Sequence, residues 1–552
     1  MKRKIPWLVA AALTASCGAS ELDSGAPGGI ADGGVPGCFS SSECPVGYVC
    51  SEFGTCVAPP PPPGDGGPVE PEETEYKLTD PVSSRRFVWV AMTDQDRLAK
   101  IDGANLEVVS LEVGDQPRVL ATLPGTDTAV VLDGNNGAAT VVRAMEDASI
   151  SELYPTLPHL NRLVATPGGR YAVAYFDLDT ADPGPVGSFQ DVTVLAVGPG
   201  SNRAVDLTVG FRPREVESDA TGRYAYVVTD QGVSVIDLPT MTAGAPTIVP
   251  PIPITEDPHG DASGLEVDIV ASGQYAVVRT PGVAAVRVVR MLGDNPGQGW
   301  NIPLAGVPTD IDLAPDGSRV YAVFRDPPGL AVIDIPGDAQ NPGGVQTVSL
   351  ANATSGSLVL SEDGKHGLLY TNAFYDERIT VIELDQPGFP RRTIPLQKAV
   401  LAVGFDPTGQ KAIILHARKP GNPEDADTFE EYIDRKPGYS SFDLASGFSK
   451  LEITAVNPTK FTFAGTAPRA YVTLDGGDDE GAYVAVQSIE LDSGVVRTIE
   501  LGSPPSDIGL LPESNKIFVS QRHPLGRVSF IDVTSGQVRT LTGFDLNSQV
   551  ID

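Results

Sequence analysis

Thr309-Asp-Ile-Asp-Leu-Ala314, Pro315-Asp-Gly317, Arg319-Val-Tyr-Ala-Val-Phe324, Leu330-Ala-Val-Ile-Asp-Ile335 and Val345-Gln-Thr-Val-Ser-Leu350 follow one another within residues 306–350. The first run alternates polar and apolar side chains, and a Pro-Asp-Gly turn separates it from the second. Short alternating runs bounded by Gly, Pro and Asp are the pattern of antiparallel strands, whose successive side chains point to opposite faces. Four such strands in a row make one small sheet.

The unit recurs. Glycine-centred turns stand at Gly125, Gly169, Gly222, Gly273, Gly317, Gly364 and Gly409, with degenerate copies near Thr466 and Ser514, at intervals of roughly 44 to 57 residues. A fixed period of strand-like units predicts an all-β fold, a β-propeller of four-stranded blades with about 7–10 repeats over residues 75–552. Nine turns and a partial first unit, Arg86 to Gly114, make ten repeats, more than the four to eight blades typical of propellers. Either one ring is unusually large, two rings share the chain, or some units are not blades; a single closed assembly is the expectation. The partial unit shows second, third and fourth strands only, and Asn547-Ser-Gln-Val-Ile-Asp552 reads like a first strand. The C-terminal strand is therefore expected to complete the N-terminal blade and hide the edges of the ring.

Third strands show the clearest self-similarity: Leu98-Ala-Lys-Ile-Asp102, Val233-Ser-Val-Ile-Asp237, Leu330-Ala-Val-Ile-Asp334, Ile379-Thr-Val-Ile-Glu383, Val486-Gln-Ser-Ile-Glu490 and Val528-Ser-Phe-Ile-Asp532. The terminal carboxylate suits the turn into the fourth strand, where it accepts backbone hydrogen bonds. In these motifs the chain resembles the YVTN-type β-propeller repeat lipoproteins of the bacterial envelope, over most of residues 85–552. The resemblance implies the propeller and leaves the task open, because this fold hosts many unrelated functions.

The N-terminus reads as an address. Lys2, Arg3 and Lys4 precede the apolar stretch Ile5 to Leu13, a secretory signal too short for a membrane span. Leu13-Thr14-Ala15-Ser16-Cys17 resembles a bacterial lipobox, which implies a signal peptide over 1–16 and a palmitate-type lipid anchor on Cys17. Thr14 departs from the usual leucine, and ordinary cleavage near Ala19 is the alternative. Gly18, where the inner-membrane retention signal has aspartate, points to the outer membrane. After a flexible tether at 17–37, Cys38, Cys44, Cys50 and Cys56 stand at even spacing. They read as a disulfide-bonded module with three possible pairings. Zinc is the competing reading, without a nearby histidine or C-x-x-C pair. Residues 57–74 form a Pro, Gly and acid linker whose polyproline run is extended and stiff. No apolar stretch of eighteen residues follows residue 17, so no second span is expected.

A net charge of -32 repels nucleic acid and anionic headgroups, which excludes both as partners of the body. Acids gather between second and third strands: Asp177 to Asp191 (with Asp179 and Asp182), Arg418 to Gly438 (Glu424, Asp425, Asp427, Glu430, Glu431, Asp434) and Asp475 to Glu480 (with Asp478). Glu256, Asp257 and His259 fall in a link between blades. Propeller geometry puts all of these on one face. The expected function is binding or scaffolding in the cell envelope through that acidic face, with an envelope protein, a glycan or a cation as partner. A solvated rim without a partner is the bland alternative.

Counting back seven from each glycine gives Arg118, Arg162, Glu215, Glu266, Asp310, Ser357 and Ala402, and Asp507 aligns by its own repeat. This register falls at the channel mouth, where it could hold a polar ligand or key the blades together by ion pairs. It also frames the alternative function, a lactonase-type hydrolase in which Glu215, Glu266 and Asp310 converge on a divalent metal. No cofactor is expected. Calcium would need six to eight converging oxygens, and no loop spells an EF-hand. His159, His259, His366, His416 and His523 lie in different repeats and read as surface or loop residues. No nucleophile elbow, P-loop or dinucleotide fingerprint occurs in a fitting context.

Overall fold

A computed structural model describes residues 49–50, 56–57 and 77–550, apart from 135, 146–147, 181–185, 199–201, 245, 466, 478–480 and 545–547. The chain divides into two units, 4–74 and 75–552. In the first, Val49–Cys50 pairs antiparallel with Cys56–Val57, with Cys50 opposite Cys56. Cys17, Cys38 and Cys44 lie outside the described residues.

The second unit is ten successive sheets, nine of four antiparallel strands and one of five. The blade quoted above, blade 6, has strands Pro308–Leu313, Arg319–Arg325, Pro328–Asp334 and Gln346–Ser349. Burial explains their sequences. Second strands such as Phe87–Met92 and Tyr224–Thr229 are apolar runs buried almost throughout, because neighbouring blades cover both faces. First strands are half-exposed and lie beside one another at the centre, whereas fourth strands alternate toward solvent. One apolar cluster fills each gap between consecutive blades. The gap between blades 10 and 1 is filled in the same way, by Leu511, Phe518, Val528 and Phe530 against Val88, Val90, Ala99 and Ile101. The ring is closed, and it has ten blades.

The seven glycines named above all adopt the left-handed backbone, φ between 62° and 72°, a conformation that costs a residue without Cβ nothing. In the degenerate copies the left-handed residue is Gly465 (φ 59°) and Asn515 (φ 49°), one place away from Thr466 and Ser514. Asparagine tolerates this region better than most side chains.

Closure differs from the expectation. Blade 1 has its own first strand, Val82–Ser83, paired with Trp89 and Val88 and extended by a bridge from Leu78 to Met92. Two residues and a turn without glycine left little pattern to read. The C-terminal strand Ser548–Val550 instead joins the outer edge of that blade, parallel to Val108–Ser110, as its fifth strand.

Two devices lock the blades. In blades 6 to 9 the first residue of the second strand is basic and directly faces the terminal acid of the third. Arg319 Nε lies 2.9 Å from Asp334, His366 Nδ1 2.8 Å from Glu383, and Lys411–Asp443 and Arg469–Glu490 pair likewise. Some terminal acids also bind the following turn, as expected: Asp532 accepts from Ser535 N at 2.7 Å and Asp102 from Ala104 N at 2.7 Å. At seven junctions a basic side chain donates to a carbonyl in the third-to-fourth-strand turn of the next blade. These are Arg143 to Val197 (2.9 Å), Arg203 to Thr242 (2.8 Å), Arg319 to Leu384 (3.5 Å), Arg392 to Leu444, Lys450 to Gly494, Arg469 to Val533, and Lys516 to Gly103 and Ala104. Charge-assisted bonds of this kind are roughly twice as strong as neutral ones.

The second device is the hydroxyl at the second place of the third-strand motif. Ser234 and Thr380, like Thr140 and Thr193 in their blades, accept a backbone N–H from the incoming link (Gly210, Thr354, Gly114 and Leu157), each at 3.1 Å. A buried amide needs such a partner.

Candidate functional site

The hooks occupy the face that carries the glycine turns. The opposite face carries the second-to-third-strand loops and the links, and bonds between neighbours show that they share it. Arg212 of a link pairs with Asp179 at 2.9 Å, Tyr375 donates to Arg418 O at 2.8 Å, and Arg522 pairs with Asp475 at 2.9 Å.

The register residues stand at or near the start of their first strands, in separate blades with local partners. Arg118 is exposed and donates to Gln116 (3.0 Å), while Arg162 pairs with Asp177 of its own blade at 3.3 Å. Glu215 is exposed opposite Val228. Glu266 is taken by Arg279, directly opposite it. Asp310 accepts Leu358 N from the next blade at 2.8 Å, and Asp507 pairs with Lys460 of the preceding blade at 2.9 Å. Ser357 opens the first strand of blade 7, and Ala402 sits beside a bulge in blade 8. Asp507 thus makes an ion pair between blades, and Asp310 a hydrogen bond to a backbone amide of the next blade. Glu215, Glu266 and Asp310 do not gather as the hydrolase alternative requires, and among the described residues no three His, Cys, Asp or Glu groups are placed to hold a metal. Asp182 and Asp478 lie outside the described residues.

One histidine departs from the expectation. His416 is buried, 5% exposed, at the end of the second strand of blade 8. Its Nδ1 lies 3.1 Å from Ala399 O and its Nε2 2.7 Å from the buried Ser440 Oγ. The carbonyl can only accept, so Nδ1 carries the proton and Ser440 donates to Nε2. Burial pushes the imidazole down to about 4. The pair has the composition of a nucleophile and its base, but blade 10 places Gln521 and Ser529 at the matching positions, 2.8 Å apart. It is a clamp.

Asp133 occupies the same place in blade 2, opposite Pro117, and is 5% exposed with no hydrogen-bond partner for Oδ1. Burial first, then Asp115 and Asp96, raise its carboxyl to about 6.

The largest device on this face is the blade-8 insertion, residues 417–437, with a 3-10 turn at Pro423–Asp425 and a helix at Phe429–Arg435. Thr428 caps the helix by accepting Glu431 N at 3.1 Å, and Glu431 in return accepts Asp427 N at 2.9 Å, close to a capping box. From below, Lys398 Nζ donates to Ile433 O (2.7 Å) and Asp434 O (3.0 Å) at the helix end. Lys398 is fully buried, and burial pushes its ammonium down to about 8. Lys419 pairs with Asp434 at 2.6 Å and Arg435 with Glu431. Of the six acids, Glu431 and Asp434 therefore turn inward, while Glu424, Asp425, Asp427 and Glu430 face solvent. Beside the insertion an open hollow of about 450 Å³ is lined by Arg418, Pro437, Val456, Asn457, Thr459 and Asp475, among others. Nothing in the sequence announced Lys398, whose role depends on a helix end some 35 residues later.

No protein-family model matches the chain, and no curated protein matches it. Solved structures do. The dihydro-heme d1 dehydrogenase NirN in complex with DHE is similar over 78% of this chain and 76% of its own, at 13% identity and a TM-score of 0.42. A eukaryotic initiation factor is similar over 85% and 97%, at 9% identity and 0.41. Apo AztD from Citrobacter koseri is similar over 85% and 95%, at 12% identity and 0.37. Likenesses this distant say nothing of ligand or activity, and the ten sheets carry the fold assignment by themselves.

Proposed function

We propose that the chain is an exported, lipid-anchored β-propeller that acts as a binding or scaffold protein of the cell envelope through its loop-bearing face. The observation that carries this reading is the blade-8 insertion: a helix held by a buried lysine, a capping box and three ion pairs, yet raised into solvent. The ring needs no such element to close, and rigid projections on a scaffold are where binding concentrates. The signal-like segment, Cys17, Gly18 and the Pro-rich linker, read from the sequence, support delivery to the outer membrane.

Two measurements test it. Cys17→Ser in the full chain is expected to abolish palmitate labelling and move the protein from membrane to soluble fractions; persistence in the membrane would remove the anchor. Mild cross-linking in intact envelopes is expected to join the chain to a partner. A chain that stays uncross-linked would remove the binding role.

A further inference from the structure

We infer that the tip of the blade-8 insertion is a docking knob for a protein whose surface sets basic side chains around an apolar pocket. The inference rests on the binding role proposed for this face and names its residues and its partner chemistry.

Phe429 is 71% exposed, more than any other large apolar side chain described. A single exposed apolar residue is ordinary. Phe429 differs because it is held: its ring stacks on Tyr432 with centroids 6.5 Å apart and planes 15° apart, and Lys436 lies 5.1 Å from the Tyr432 ring on the same helix. An aromatic ring on a capped, tethered helix loses little freedom on binding, and such preorganised aromatics are the usual anchors of protein interfaces.

The charges around it select the occupant. Residues 422–430, Asn-Pro-Glu-Asp-Ala-Asp-Thr-Phe-Glu, contain four carboxylates and no base. Three of the insertion's four basic groups are turned to its own support, Lys419 to Asp434, Arg435 to Glu431 and Asn422 O, and Lys436 to Glu424 at 3.6 Å, while Arg418 lines the hollow at its base. Phe429 thus projects from a rim of Asp425, Asp427 and Glu430, with Glu424 beside it paired to Lys436. A neutral glycan would leave these carboxylates unmatched, and an anionic surface would repel them. Lysines and arginines around an apolar pocket would meet both features, with charge setting specificity and approach and the ring supplying most of the affinity.

The test places a photoreactive benzoylphenylalanine at position 429 of the full chain and irradiates intact cells. The expected result is a cross-link to one protein, identified by mass spectrometry and then purified. That protein should bind the wild-type full chain with an affinity that falls as salt rises. F429S and the triple reversal D425K/D427K/E430K should each weaken binding at least tenfold, F429W should restore it, and D294K/D385K/D492K, a matched reversal on the opposite face, should leave it within twofold. A cross-link to glycan or to a second copy of this chain overturns the inference, as does no cross-link at all. So does a partner indifferent to F429S, or one weakened equally by the opposite-face reversal. A partner retained by the face but indifferent to F429S leaves the broader binding role standing, whereas loss of all retention removes both. Thermal melts of each variant establish that the ring is intact.

Discussion

Lys398 Nζ donates to the carbonyl oxygen of Ile433 at 2.7 Å, tying the link before blade 8 to the end of a helix on the loop-bearing face. The last carbonyls of a helix have no partner within it, and a buried ammonium is a strong one. K398M should therefore loosen the insertion without opening the ring: amide exchange across 417–437 should quicken while the second strands stay protected. The pH dependence has a definite sign. With the folded group at about 8 and an ordinary lysine at 10.5, the unfolded chain holds a proton between these values that the folded chain has released. Stability from this site rises with pH across that window. Melting temperatures at pH 7 and pH 10 should show that increment in the wild type and not in K398M.

The His416–Ser440 clamp works only with a neutral ring. Its folded value of about 4 lies below the 6.5 of an ordinary histidine, so the unfolded chain takes up a proton first as pH falls through this window, and stability is lost there. The loss is up to about 3 kcal/mol, from roughly 1.4 kcal/mol per pH unit. H416Q, which copies the Gln521–Ser529 pair of blade 10, should keep the clamp and lose this acid sensitivity. Denaturant midpoints of the two proteins at pH 7 and pH 4.5 measure the difference.

Asp133 gives the opposite slope. Its folded value of about 6 lies above 3.8, so the folded chain keeps a proton that the unfolded chain releases, and stability falls as pH rises from 3.8 to 6. D133N should stabilise the protein at pH 7 by about 1–3 kcal/mol and change little at pH 3.5. Urea titrations at the two pH values decide it.

Thr380 accepts Thr354 N and shares a hydrogen bond with Thr393 at 2.9 Å, in a fully buried position. T380V keeps the shape and orphans a buried amide, so it should cost about 1–3 kcal/mol. An unchanged urea midpoint would mean that the link does not depend on the hydroxyl.

Period and turn chemistry made the blades legible. Gly317 and its six counterparts stand where the chain turns left-handed, and the strands of blade 6 lie within two residues of their expected bounds. Val82–Ser83 escaped because two residues carry no period. The residues of the channel register were legible in the repeat, but their partners were not, since pairing is a matter of distance: Glu266 meets Arg279 across one sheet, and Asp310 meets an amide of the next blade. His416 looked like any loop histidine because its burial comes from neighbouring blades. The acids of the insertion were visible as composition, but only the fold sorts Glu431 and Asp434, which brace the helix, from Glu430 and Asp427, which do not.

Lys516 crosses from blade 10 to the carbonyls of Gly103 and Ala104 as Arg469 crosses from blade 9 to blade 10, so the joint between the chain's two ends is built like the joints within it. Blade 1 takes a fifth strand from the far end of the chain, but that strand thickens an outer edge, and the apolar contact between blades 10 and 1 is made without it. Such an architecture has no privileged seam. The ring could be opened at another link, with the strand that ends at Thr542 joined to the one that begins at Val82. In its ancestry, duplication or loss of one repeat would add or remove a whole spoke, with the neighbouring hooks ready to meet across the new junction.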